Sequence, residues 1–182
     1  MLLAGLLTVA GCKDKKNEGT TIITTDYEAP KPTSPITMDS YSDTQDVEWV
    51  EGRRYTLEID RRASDSLAAV TDANGQKYVD NTIQLKIVRG DGSVFFHRTF
   101  TKASFANWLG DEYRDTAILQ GMRFLEVADG VLTFIVWLNN PGAGDDEAVE
   151  LRMELDQQGE ITTQRFTYDD RDDLIKNNEE EE

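Results

Sequence analysis

One cysteine and one histidine are all that a chain of 182 residues carries of either type. A lone Cys12 can close no intramolecular disulfide. With only His97 beside it, a Cys/His zinc site is excluded, as is a thiol nucleophile inside a folded domain. Basic residues are also short, 19 against 35 acidic, for a formal charge of −16. A field of that sign repels phosphate backbones and rules nucleic acid out as a partner. It suits cations or a basic protein, and it also keeps an exported protein soluble. Hydrophobic residues reach only 38%, and the deficit falls in residues 13–46 and in the acidic end. No Gly-x-Ser-x-Gly elbow, EF-hand spacing or phosphate loop is present, so the usual sequence marks of those chemistries are missing.

What is present at the start is a short apolar run, Met1 to Ala10, followed by Gly11-Cys12 and a polar stretch. About 20 apolar residues are needed to span a bilayer, so this run matches the core of a signal peptide instead. Val9-Ala10-Gly11-Cys12 resembles the lipobox of bacterial lipoproteins, which implies that Cys12 is diacylated and becomes the new N-terminus. Two acyl chains would anchor the chain stably to the lipid bilayer. No Lys or Arg precedes the run, which points to a start upstream of Met1 or a clipped end. Residues 12–46 then read as the lipid-attached cysteine and a flexible tether holding Pro30, Pro32 and Pro35. Such a tether reaches roughly 30–35 Å. Residues 169–182, acidic to the last, read as a disordered tail.

Between these ends, residues 47–168 make about 120, enough to close one core. Val131 to Leu138 is apolar at seven of eight positions and reads as a strand buried on both faces. Asp129-Gly130 joins it to Ile118–Val127, the strongest hairpin signal in the chain, and this hairpin is expected at the centre of a sheet. Period-2 alternation marks strands at 55–59, 83–88, 93–100, 149–155 and 161–168, with Asn74-Gly75, Gly90-Asp91-Gly92 and Gln157-Gln158-Gly159 as turns. Thr101 caps one short helix that stops at Gly110, its inner face made by Phe105, Trp108 and Leu109. The fold class is therefore mostly β: an antiparallel meander or sandwich of seven to eight strands with one short helix.

The run Asp72-Ala73-Asn74-Gly75-Gln76-Lys77-Tyr78-Val79-Asp80-Asn81 is distinctive. So are Arg89-Gly90-Asp91-Gly92-Ser93 and Arg98-Thr99-Phe100-Thr101-Lys102. With the lipobox, they resemble a family of small uncharacterised lipoproteins from Bacteroidetes, over residues 50–168. The resemblance implies a domain of unknown function and supplies no catalytic residues.

Candidate sites are few. His97 shares a strand face with Phe95 and reads as structural. Asp145, Asp146 and Glu147 offer carboxylates of the kind Ca²⁺ prefers, as does Asp169 to Asp173, where Arg171 opposes a cation. Trp49, ahead of the first strand, is the candidate for an exposed sugar-stacking ring, with Trp137 assigned to the core. No catalytic residue and no cofactor is nominated. The expected protein is an envelope lipoprotein on the outer membrane, a non-enzymatic module binding a protein or a glycan. The alternatives are a hydrolase of glycan or peptide, or an acidic inhibitor or immunity protein.

Overall fold

The computed structural model describes residues 34–166. The signal run, Cys12, most of the tether and the tail at 169–182 lie outside the described residues. Among the described residues ten strands form, with four short helical turns between them: β1 (Tyr41–Glu48), β2 (Arg54–Ala63), β3 (Val70–Thr71), β4 (Lys77–Tyr78), β5 (Asn81–Arg89), β6 (Val94–Phe100), β7 (Ile118–Ala128), β8 (Val131–Asn139), β9 (Val149–Leu155) and β10 (Ile161–Arg165). The fold is mostly β and antiparallel, as the alternation predicts, with eight strands in two main sheets and two in a small hairpin.

The sheets run β1-β2-β5-β6 and β10-β9-β8-β7, and β3-β4 forms the small hairpin. One buried cluster draws Tyr55, Leu57, Ile59, Ile83, Leu85 and Ile87 from the first sheet and Leu119, Met122, Phe134, Val136, Leu151 and Met153 from the second. Two sheets sharing one core make a sandwich, which separates the two architectures left open by the sequence. The β7–β8 hairpin forms as expected, with Asp129 at φ 50° and Gly130 at φ 76°, the left-handed pair a type I′ turn requires. It does not sit at a sheet centre: β8 is internal, but β7 is an edge.

Three expectations are corrected. The structured domain begins before residue 47, because Tyr41–Glu48 pairs along its whole length with β2. Its mostly polar side chains belong to an exposed edge strand and mimic a linker in composition. Two short helices stand where one was expected, though the first does stop ahead of Gly110. A 3₁₀ helix spans Lys102–Trp108, and Gly110 is then the N-cap of α1, Asp111–Thr116. Lastly, β5 and β6 slip register between Ile87 and Val88. The extra residue, Phe95, turns inward onto Trp49 and Tyr55, while His97 lies exposed opposite Lys86. A bulge changes the face of every later side chain, so His97 and Phe95 do not share one.

Tight turns elsewhere are held by aspartates. Asp72 Oδ1 accepts from the backbone N–H of Asn74 and Gln76, each at 2.9 Å, and Asp156 Oδ1 does the same for Gln158 and Glu160. Asp91 accepts from the Ser93 N–H at 2.9 Å, and the Ser93 hydrogen bonds hold its carboxyl below the ordinary range. These are the side-chain turns that Asx residues favour.

Candidate functional site

On the outer face of the second sheet, β8 places Ile135 and Trp137 between β7 and β9. Ile135 is flanked in register by Arg123 and Arg152, and Trp137 by Gly121 and Glu150. Ile135 is 1% exposed although it stands outside the main core. The outer face is therefore locally covered, and β8 is buried on both sides as its composition predicts.

Trp137 is half-buried and faces outward, not into the core. What permits this is Gly121. A Cβ there would lie 2.0 Å from Cζ2 and 2.4 Å from Cε2 of the indole, so the six-membered half of the ring lies across the glycine. An aromatic ring over a cross-strand glycine covers the gap the missing side chain leaves. Gln120 makes this register possible. The β7–β8 pairing slips between Leu119 and Gly121, so Leu119 stays in the core while Gln120 bulges and Gly121 turns out. The Gln120 carbonyl accepts from Arg61, whose other terminal nitrogen donates to the Asp39 carbonyl at 2.7 Å. Burial lowers the Arg61 pKa, opposed by Asp39 and Tyr41. Arg61, on β2, thereby ties the bulge to the first sheet.

Around this ring a groove of about 340 Å³ is lined by Gln120, Arg123, Ile135, Trp137, Ala148 and Glu150. An apolar floor with a few polar rim groups is the common make-up of ligand sites. Here the rim offers an amide, a guanidinium and a carboxylate. Beside it, Arg152 bridges Glu154 at 2.9 Å and Glu126 at 3.5 Å.

The residues nominated from sequence lie elsewhere. Trp49 is 5% exposed, and its indole N–H donates to the Gly130 carbonyl at 2.8 Å. Its ring packs edge-on against Tyr55 and Phe95, so the expected exposed stacking face is absent. Asp145–Glu147 forms a 3₁₀ turn in which Asp146 and Glu147 are exposed, and the Glu147 carbonyl accepts from the Tyr113 hydroxyl at 2.7 Å. Among the described residues no group of three His, Cys, Asp or Glu is arranged to hold a metal. Asp169 to Asp173 lies outside them.

Sequence reasoning also missed a buried ion pair. Asp80, 3% exposed, accepts the backbone N–H of Asn81 and of Leu119 on Oδ1, both at 2.8 Å. Its Oδ2 lies 4.0 Å from Lys102 Nζ, which donates to the Ala117 carbonyl at 2.7 Å. Asp80 comes from the run 72–81 and Lys102 from the run 98–102, so two of the distinctive sequence motifs meet here. Desolvation lowers the Lys102 pKa from 10.5, opposed by Asp80 and then Asp115. Unfolding restores the ordinary value, so the unfolded chain holds more protons in the window below pH 10.5. Stability contributed through Lys102 therefore rises with pH across that window. Replacing Lys102 with Met should remove this rise. Urea midpoints of parent and variant should diverge as pH approaches 10.5, and parallel curves would show that desolvation at Lys102 goes unfelt.

The described residues thus define a two-sheet antiparallel β-sandwich with an aromatic groove on one outer face. Residues 22–163 match the family described as Domain of unknown function (DUF4738), and the chain belongs to that family. No curated protein matches the chain.

Proposed function

We propose that this chain is a lipid-anchored envelope protein of the outer membrane whose sandwich is a non-enzymatic glycan-binding module. The observation that carries the binding reading is Trp137, held flat across Gly121 in a groove rimmed by Gln120, Arg123 and Glu150. The apolar C–H face of a pyranose packs well on an indole, whose electron-rich face attracts those hydrogens. The hydroxyls around the ring edge then need donors and acceptors together, and the rim supplies both. The anchoring reading is supported by the sequence Val9-Ala10-Gly11-Cys12.

Two measurements test these parts separately. Intact mass of the membrane-extracted protein should show acyl additions at Cys12, and Cys12→Ser should release the chain into the soluble fraction. A Cys12→Ser chain that stays with the membrane would contradict the anchor. For binding, a glycan array probed with the full processed chain should return hits that Trp137→Ala weakens about fivefold or more, since stacking on one aromatic contributes about 1–3 kcal/mol by the measure of nucleic-acid bases. Salt-sensitive capture of a basic protein, unaffected by Trp137→Ala, would favour the inhibitor reading instead.

A further inference from the structure

A second cavity differs from the groove in composition and setting. It has a volume of about 260 Å³ and is lined by Leu67 to Val70, Asp80, Thr101 to Ala103, Arg114 and Asp115. This is below the ~300–1,000 Å³ of sites for drug-sized ligands, so an occupant is one ring in size or smaller. Much of its wall is aliphatic, from Leu67, Ala68, Ala69, Val70 and Ala103. Its polar floor is the Asp80–Lys102 pair.

The hydrogen-bond capacity of that pair is only partly used. Asp80 spends Oδ1 on two backbone donors, and the nearest cation to Oδ2 is Lys102 at 4.0 Å, too far for a hydrogen bond. Lys102 gives one donor to the Ala117 carbonyl, and an ammonium has three. An acceptor and a donor thus stand side by side, 4.0 Å apart, where one hydroxyl seated beside them can accept from Nζ while donating to Oδ2. Such a relay polarises the hydroxyl and strengthens both bonds. The floor pair sums to zero charge, which matches a neutral ligand. At the rim, Arg114 is engaged with Asp111 at 2.9 Å and the Ala106 carbonyl at 3.0 Å, and Asp115 is exposed.

We infer that this cavity is a second binding site, separate from the Trp137 groove, for a small neutral polyhydroxylated molecule held by Asp80 and Lys102. Saturation-transfer NMR on the full processed chain tests it, with D-glucose, myo-inositol and glycerol as probes. Signal from at least one probe should be seen on the parent, and should survive in Trp137→Ala. Ala69→Trp, an exposed wall position away from the floor hydrogen bonds, should abolish it by filling the cavity. Lys102→Met should weaken binding at least tenfold, with folding of each variant checked by its thermal unfolding. No transfer to any probe on the parent would overturn the inference. So would transfer that persists in Ala69→Trp. Loss of glycan-array binding in Trp137→Ala with this signal intact would separate the two sites.

Discussion

Replacing Asp80 with alanine should destabilise the domain by about 3–5 kcal/mol, the scale for breaking a buried pair by removing one partner. Three groups lose their acceptor or counter-ion together: the N–H of Asn81, the N–H of Leu119 and the Lys102 ammonium. Asn81 opens β5 in one sheet, and Leu119 sits near the start of β7 in the other. Asp80 therefore joins the two halves of the sandwich through a single oxygen. Asparagine keeps an oxygen at that place, so Asp80→Asn should recover a good part of the loss while leaving Lys102 without its anion. Urea unfolding of the three proteins measures the series. A loss in Asp80→Ala below about 1 kcal/mol, the worth of one ordinary hydrogen bond, would mean that the backbone donors find other acceptors.

The second large effect concerns Gly121. Alanine there places a methyl 2.0 Å from Trp137 Cζ2, so the indole must lift from the sheet. Overpacking of this kind costs about 1–3 kcal/mol, and it should also abolish the flat presentation that sugar stacking needs. The cause is steric and confined to one pair, which gives the prediction a sharp form. In the double variant Gly121→Ala with Trp137→Ala, most of the Gly121→Ala penalty should vanish, leaving a coupling energy of more than about 1 kcal/mol. Additive losses would show that the clash is not with the indole.

Much of the architecture is legible in the sequence. The strand at 131–138, the Asp129-Gly130 turn and the aspartate-led turns after Asp72 and Asp156 announce themselves because local chemistry and global fold agree there. Where the two part, the reason is specific. Tyr41 to Glu48 is an edge strand with one exposed row and no apolar alternation to report it. The bulges at Gln120 and Phe95 each reverse the side-chain alternation that follows them, in β7 until a second slip between Phe124 and Glu126, and a one-residue reversal leaves the local composition unchanged. Trp137 reads from sequence as core because it sits in a run buried on both sides, and Trp49 reads as exposed because it precedes a strand and lies outside its alternation. Asp80 and Lys102 are visible only as members of distinctive runs. Nothing local in an Asp-Asn pair says that its carboxylate will be enclosed by a segment that begins with residue 101.

The proposed glycan binding turns on Trp137 as a ligand-facing ring, and tryptophan indole N–H signals in a ¹⁵N-correlated NMR spectrum test that role most directly. The chain has three tryptophans, assignable by single replacement. Titration with a glycan taken from the array should shift the Trp137 indole signal saturably, while the Trp49 signal, whose N–H is bonded to the Gly130 carbonyl, stays in place. A bound glycan that leaves the Trp137 signal unmoved, or shifts only Trp49 or Trp108, would contradict a ligand-facing Trp137.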